Sequence, residues 1–589
     1  MIVWCGGRNA INYLQEKQMS DSERIPLMFQ AQVPDRGKIQ YAGNPEPASK
    51  WVKQWLEGCP PVTEIPDSQE NIPLWKRKTT AKPNVKIKLP EFGTKVRSWE
   101  YTFTWRMVTN SGQDDGVIRP VIGAKGLPYY PGASMKGAFR RACPNEDLRK
   151  NYCGDEEKPG CLRFHGGYPV DMSWGDKKRL VDVVHPQVNR QLGIDDKTTS
   201  ANVQISLYQT TFKFGISANK KLSESEWKQI QEIWETALSK GIGSRVSAGY
   251  GYVKKLQNNK EIEIQDSNSV ILSVNLRGQG LASLLLTKKG DEKIPEFRIN
   301  MFKAALRGHT LRLFAGLTDQ KTAERLTKII WGGFEGKNAI VGKLRISFHA
   351  ENLTLGEYRY NRNIMPTYAL DAGRLDIICC SNSEEEKQQL KNLAKCLIQF
   401  SLLLGGFGKS WRRVDHRIFY HQYVANNNKP MIGCHWEFAQ GSEDLYVTAG
   451  KSDLKNIRNF LAHLRKTVIK WFEYNQVTLG NYVNNWREVW HPDKVQVWGK
   501  IVKESEAMHW FHGEYSKNKS IKETDLTGKI GQIGRIWHRM YPRYVIDKNR
   551  NLKQLSQYVE LLTIFPDDSI TTQEFLEFLN NSSGFIKLF

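Results

Sequence analysis

Aromatic and polar residues alternate from Val96 to Val108, placing Trp99, Tyr101, Phe103 and Trp105 on one face of an extended chain. Period-two alternation of this kind predicts a strand with one buried face. A polar loop at 109–130 leads to a basic helix opening near Ser134, and strand-like runs return between Val203 and Ile216. The pattern then changes period. Trp227, Ile230, Trp234, Ala237 and Leu238 recur at helical spacing behind Ser223 and Glu226, which form a capping box. Gly241 is placed to end that helix and opens a glycine-rich run reaching Tyr252.

The same order of elements then recurs. Val270–Leu276 reads as a strand, 287–296 as a polar loop, Arg298 to Leu317 as a basic helix, and Ile340–Phe348 as a strand. Ser383 and Glu386 cap a helix carrying Leu390, Leu393, Ala394, Leu397 and Ile398, which delivers the chain to a second glycine loop at Gly405-Gly406-Phe407-Gly408. Lys136 and Lys303, in the two basic helices, are 167 positions apart, and Gly241 and Gly405 are 164 apart. A near-constant offset between two separate motifs indicates a duplicated domain. Strand–helix–strands–helix–strand order predicts an α+β fold: two tandem ferredoxin-like units with insertions. The expected boundaries are an N-terminal extension at 1–95, a first domain at 96–266 and a second at 267–589. The extension is irregular and proline-rich, with a short helix at Ala48–Leu56, and is expected to wrap a neighbour or the first domain. Residues 420–589, with an amphipathic helix over Leu454–Trp471 and strands near Gln496–Ile501 and Gly534–Val545, are expected to elaborate the second unit.

Charge adds a partner class. The 589 residues hold 85 Lys and Arg against 62 Asp and Glu, a formal +23, so positive surface potential invites a polyanion. The 18 Trp and 22 Tyr supply stacking surfaces for unpaired bases, which favours nucleic acid over a plain basic enzyme. No apolar run has the length of a membrane span, and Met1–Gly7 lacks the charged and long apolar stretches of a secretory signal. Nine irregularly spaced cysteines suit a reducing compartment, so a cytoplasmic location without membrane contact is expected.

The candidate chemistry lies in the repeated pieces. Gly243-Ser244-Arg245 and Gly408-Lys409-Ser410-Trp411-Arg412-Arg413 combine glycines, which let backbone amides approach a phosphate, with cations that add charge-assisted bonds. Neither loop has P-loop spacing, and each follows a helix, so nucleoside triphosphate binding is disfavoured. A glycine-rich turn without a ligand is the plainer reading. The basic helices carry Ser134, Lys136, Arg140 and Arg141 in the first copy, then Lys303, Arg307 and Arg312 in the second. Lys136 and Arg140 share one face, and a helix start beside Ser134 suits phosphate; the alternative is a solvated basic face.

The stretch Asp114-Asp115-Gly116-Val117-Ile118-Arg119, followed by Gly126-Leu127-Pro128-Tyr129-Tyr130-Pro131-Gly132-Ala133-Ser134-Met135-Lys136-Gly137-Ala138-Phe139-Arg140, resembles the signature of the RAMP superfamily. It is most similar to the backbone subunits of type III CRISPR effector complexes. Gly243 to Gly251 is similar to the glycine-rich loop of that family, and Asp182-Val183-Val184-His185-Pro186 resembles one type III branch. The second copy is a looser relative. The resemblance implies two fused RAMP domains on guide CRISPR RNA, with complementary target RNA and other effector subunits as partners. It also implies a target-RNA endoribonuclease whose key carboxylate is Asp114, with Asp115 as the adjacent alternative. A loop carboxylate of this kind can hold a divalent cation (Mg2+ or Mn2+) or place the target's 2′-hydroxyl for in-line attack. An Asp-Asp-Gly turn without chemistry is the alternative. Two other readings stand beside cleavage: a purely structural guide-binding subunit, and a repeat-RNA processing enzyme. The latter requires a general acid–base pair such as histidines, and none stands out; His185 and His416 are read as core or RNA-facing residues.

Cys143, Cys153, Cys161 and His165 fall within 23 residues, and three thiolates with an imidazole suit a closed tetrahedral Zn2+ site. Buried free cysteines are the competing reading. Some CRISPR relatives place zinc ligands in this same insertion (143–167), which favours structural zinc.

Overall fold

The computed structural model describes residues 89–589, together with Val52, Trp55 and Leu56, apart from short stretches at 115–116, 124–125, 176, 185–187, 195–201, 258–259, 285–293, 336–337, 427, 450–452, 530–531 and 547–551. In the N-terminal extension, the Trp55 indole donates to the Gly126 carbonyl at 2.8 Å and meets Trp174 at 5.0 Å between ring centres. That part of the extension therefore docks on the first domain.

The first domain runs β1 (Arg97–Phe103), α1 (Gly132–Ala142), β2 (Leu162–Pro169), β3 (Thr211–Ala218), α2 (Glu224–Ser239) and β4 (Val253–Gln257). Its antiparallel sheet has the order β4-β1-β3-β2, extended beyond β4 by a short strand at Lys260–Glu263. The alternating aromatics explain the packing. Tyr101, Phe103, Phe212, Phe214 and Ile216 share one core with Met135 and Phe139 of α1 and Ile230 and Trp234 of α2. Each such side chain contributes about 2 kcal/mol on burial. Ser223 and Glu226 do form the capping box, with the Glu226 amide donating to the Ser223 hydroxyl.

The second domain repeats this arrangement with β5 (Val270–Leu281), α3 (Asn300–Ala315), an added α4 (Gln320–Trp331), β6 (Leu344–Tyr360), β7 (Asn363–Cys379), α5 (Glu384–Leu404) and β8 (His435–Phe438). The strand order, β8-β5-β7-β6, is the same as in the first domain. A long helix α6 (Lys455–Tyr474) then buries Leu461, Leu464, Val468 and Trp471 in the core shared with α5.

The stretch expected to elaborate the second unit instead carries a sheet of its own. It runs β9 (Gln496–Val502), α7 (Ala507–His512), β10 (Ile536–Ile546), β11 (Leu552–Ile564), α8 (Ile570–Asn581) and β12 (Ile586–Lys587). Its order, β12-β9-β11-β10, is again antiparallel and equivalent to the other two. Met508, Phe511, Met540, Leu562, Phe575 and Leu579 form a separate core beneath it. Three successive βαββαβ units therefore share one strand order, where the sequence pattern displayed only two.

Consecutive units are joined in one way. The Ile346 amide, on the third residue of β6, donates to the Ser247 carbonyl in the first glycine loop at 3.3 Å. The His538 amide, on the third residue of β10, donates to the Arg412 carbonyl in the second glycine loop at 2.9 Å. Each glycine loop thus caps the edge strand of the unit that follows.

The first junction also holds a buried charge network. Arg106 and Glu296 are paired, with Nε to Oε1 at 2.8 Å, and Arg298 is paired with Asp182. Arg106, Asp182 and Glu296 are at most 2% exposed. Asp182 also accepts from Gln204 at 2.6 Å and from the Tyr250 hydroxyl at 2.8 Å. Burial by itself would raise the Asp182 pKa, but the guanidinium groups of Arg298 and Arg106 hold it well below the usual carboxylate range. Breaking one member of such a set leaves an uncompensated buried charge. Asp182→Asn is therefore expected to cost about 3–5 kcal/mol, measured by urea unfolding of the full chain; a loss below about 1 kcal/mol would contradict this account.

Candidate functional site

The first junction opens into a cleft of about 940 Å³. Its walls come from the end of α1 (Ala138, Arg141), the glycine loop from Gly241 to Ser247, Lys303 on α3, and the turn from Gly332 to Gly342. Arg141, Lys240, Arg245, Lys303, Arg345 and Lys387 all line it, against a single carboxylate, Asp266, among the described lining residues. A concave site with that imbalance concentrates anions.

The backbone of the glycine loop is set by left-handed residues. Gly243 has φ +84°, and a Cβ there would meet the Val108 carbonyl oxygen at 2.5 Å. Two residues on, Arg245 has φ +59°. The second loop repeats this trace, with Gly408 at φ +87° and Ser410 at φ +57°. Matching the loops by conformation makes Ser410, not Arg412, the counterpart of Arg245, and Arg412 the counterpart of Ser247. Arg245 is held by its Nε donating to Gln204, whose amide donates to Asp182. The buried network therefore sets the position of a cleft cation.

Lys303 donates to the Ser247 hydroxyl at 2.5 Å, across the junction. Burial, then the charges of Arg307, Arg245 and Arg345, push its ammonium down to about 7. Arg307, one turn further along α3, is half-buried, and burial lowers its pKa as well. Ser134, Lys136 and Arg140 are exposed on α1, whose N-terminus has no side-chain cap, but only Arg141 of that basic set reaches the cleft.

The second copy uses its cations internally. Arg412 donates to the buried carboxylate of Glu488 at 2.7 Å, and Arg312 does so at 2.7 and 3.0 Å. Arg413 donates to the Ile536 and Thr527 carbonyls at 2.6 and 3.0 Å. Lys409 donates to the Ala282 carbonyl at 3.3 Å beside Gly408. The expectation that Arg412 and Arg413 present charge to a ligand is thus met by a different use: they tie the second unit to the third.

Asp114 ends the first strand of a hairpin, Gly112–Asp114 with Val117–Arg119, and Asp115 lies outside the described residues. Asn110 and Ile118, near the base of this hairpin, line the cleft.

The four expected zinc ligands do not fit a shared site. Cys143 and Cys153 are neighbours, and burial with the adjacent Cys143 pushes the Cys153 thiol up to about 12. His165 is exposed on β2 and pairs through Nε2 with the Ser217 hydroxyl at 2.8 Å. Among the described residues no three His, Cys, Asp or Glu side chains group as metal ligands. Cys161 is buried, while His165 is exposed and engaged with Ser217.

Sequence reasoning missed Ser247, Lys240 and Arg345 as cleft residues. Ser247 lay inside the glycine run and was open to view; Arg345 is a lone cation in an apolar strand and gave no signal.

Residues 114–254 match the RAMP superfamily. Over that segment the chain is similar to the RAMP superfamily. The matched segment contains the Asp114 hairpin, α1 and the first glycine loop. Among solved structures, a type III-B Cmr-beta complex bound to cognate target RNA is 24% identical, over 29% of this chain and 61% of that one, with TM-score 0.24. Cmr6 from Pyrococcus furiosus is 13% identical over 27% of this chain and 98% of its own, TM-score 0.19. A type IV-B CRISPR complex is 13% identical over 27% and 88%, TM-score 0.20. These structural likenesses are local and carry no argument. No curated protein matches the chain. Among the described residues, no helix is long and apolar enough to cross a membrane.

Two outcomes are expected from this geometry. Raising pH from about 6 to about 9 removes the Lys303 proton, so polyanion affinity should fall across that range, and Lys303→Arg should flatten the profile. Elemental analysis of purified protein should find zinc well below one equivalent.

Proposed function

We propose that the chain is a backbone subunit of a type III CRISPR ribonucleoprotein, that its cleft holds guide CRISPR RNA, and that it cleaves complementary target RNA beside Asp114. The observation that carries this reading is the convergence of Arg141, Gly243, Ser244, Arg245 and Lys303 on one cationic cleft. These residues come from two domains and from three separate segments, and a phosphodiester backbone is the ligand that uses all of them. The resemblance of the RAMP segment to type III backbone subunits supplies the biological setting. On this reading the βαββαβ units are ferredoxin-like RAMP domains in tandem.

The chemistry proposed for the hairpin is modest. Arg245 and Lys303 would hold phosphates in the cleft, and the hairpin whose base lines it carries Asp114 in its chain. Asp114 would orient the 2′-hydroxyl of a target nucleotide toward the adjacent phosphorus and accept its proton as the 5′-oxygen departs. A divalent cation bound there would neutralise developing charge. Asp114 would supply one protein ligand, and RNA phosphates with water the others, the usual arrangement for Mg2+.

Asp114→Ala, assayed in the assembled ribonucleoprotein with end-labelled target, is expected to lower cleavage at its position by about 100-fold or more. Guide retention should stay within about twofold, since phosphate contacts are untouched. Cleavage at every position with unchanged rate would instead identify a structural guide-binding subunit.

A further inference from the structure

We infer that the second glycine loop and the turns after it, residues 411–424, form a clasp on the third unit that mild acid releases. The clasp closes over imidazoles that hold it only while they are uncharged. The first lies beneath the loop. His309 of α3 is 1% exposed and meets Phe400 of α5, Trp411 of the loop and Trp537 of β10, with ring centres at 5.1, 5.2 and 5.6 Å. Among the described residues neither of its nitrogens has a hydrogen-bond partner. The charged groups acting on it are Arg312 and Arg412, whose guanidinium groups also lie over the Trp411 and Trp537 rings. Their counter-charge, Glu488, is already shared by both and by Arg487. A proton on His309 would add a further cation to a dry, aromatic site.

The second contact crosses between the units directly. His416 is 1% exposed; its Nδ1 lies 2.9 Å from the Val414 carbonyl and its Nε2 3.1 Å from Nε2 of His512, which ends α7. The carbonyl keeps a proton on Nδ1, so neutral His416 accepts at Nε2 and His512 donates. Two imidazolium rings would turn N–H against N–H and break this bond. Tyr423 closes the ring cluster at 4.8 Å from both histidines, and Tyr420 stacks on His512 at 5.3 Å. Arg413, Lys429, Lys522, His509 and His538 are the other charged or titratable groups facing the pair, and none is acidic. Asp415, next to His416 in the chain, is engaged by Arg417 and Gln279. Two further histidines of this junction each face a carboxylate as well as arginines, and carry less of the effect. His538 lies 2.8 Å from Glu560, near Arg413 and Arg539. His435 lies 2.8 Å from Glu437 through Nε2, and its Nδ1 accepts from Arg539 of β10 at 3.0 Å.

The two junctions respond to acid with opposite sign. Burial, reinforced by the surrounding positive groups, holds His416 at about 3 and His512 at about 4, against an ordinary value of 6.5. Closure is thus at full strength above pH 6.5 and weakens as pH falls toward those values. At the first junction His349 of β6 pairs with Glu263, on the short strand beyond β4, at 2.7 Å. That hydrogen bond raises the imidazole pKa, so its contribution is kept in acid and lost only as pH rises. Acid therefore opens the second loop and spares the first.

The test is hydrogen–deuterium exchange of the full chain at about pH 7 and about pH 5, each corrected for intrinsic exchange. Each imidazole freed shifts the balance about 20-fold toward the open form between those values. Peptides from 411–424 and from α7 are expected to lose protection by about tenfold or more, while those from α5, β11 and the first glycine loop change by less than about twofold. His309→Phe, which fills the same space with a ring and leaves no unpaired nitrogen, should fold and move the release to lower pH. Adding His416→Gln, which keeps an acceptor for His512, should hold the clasp closed at about pH 5. Unchanged protection of 411–424 in acid would overturn the proposal. Equal loss of protection in α5 and β11 would also overturn it, since that marks global unfolding. Release of the double variant at the same pH as the wild type would overturn the assignment to these imidazoles.

Discussion

The arrangement at the first junction depends on four charges removed from water together. Asp182 and Arg106 belong to the first domain, Glu296 and Arg298 to the approach to α3 of the second. None of these groups is tolerable in the interior alone, and each satisfies another. Hydrophobic packing alone would permit sliding between the two domains. A buried, directional pair permits one position. Through Gln204 the same network reaches Arg245, so domain placement and cleft geometry are one constraint. A cleft whose cations are set before the ligand arrives loses less freedom on binding.

Three units with one strand order and two equivalent junctions invite comparison of what each junction does with its cations. At the first, the lining guanidinium and ammonium groups outnumber carboxylates and face an open cleft. At the second, Glu488 is fully buried and draws Arg312, Arg412 and Arg487 inward. One carboxylate there takes the place that an external anion would otherwise hold. Repetition of the fold thus did not carry repetition of the site.

Much of the element order was legible along the chain. Helix α2 and its capping box lie where Ser223, Glu226 and the apolar spacing put them, because capping and amphipathic burial are local in sequence. The third unit was legible only in pieces: two of its strands, near Gln496–Ile501 and Gly534–Val545, were read, but not that they formed a unit. Its first helix has six residues and its last strand two, too short for periodicity to register, and its glycine-rich basic run from Gly528 to Arg535 precedes β10 instead of following the unit's second helix. The expected zinc ligands show a related limit: spacing along the chain says nothing of burial, and Cys153 and Cys161 are buried where His165 is exposed and paired with Ser217.

What the sequence determined by itself was the kind of molecule: a duplicated α+β chain, strongly basic, with paired glycine loops and basic helices. Those features follow from period, propensity and net charge, each a property of neighbouring residues. Only the tertiary structure decided which cations are available. Arg245 and Arg412 read alike in the chain, yet one lines an open cleft and the other is neutralised by a glutamate 76 residues away. Likewise His416 and His512, 96 residues apart, became a pair only when two units met. A charge or a ring acquires its role from what is folded against it, and that partner is set by packing, not by sequence distance.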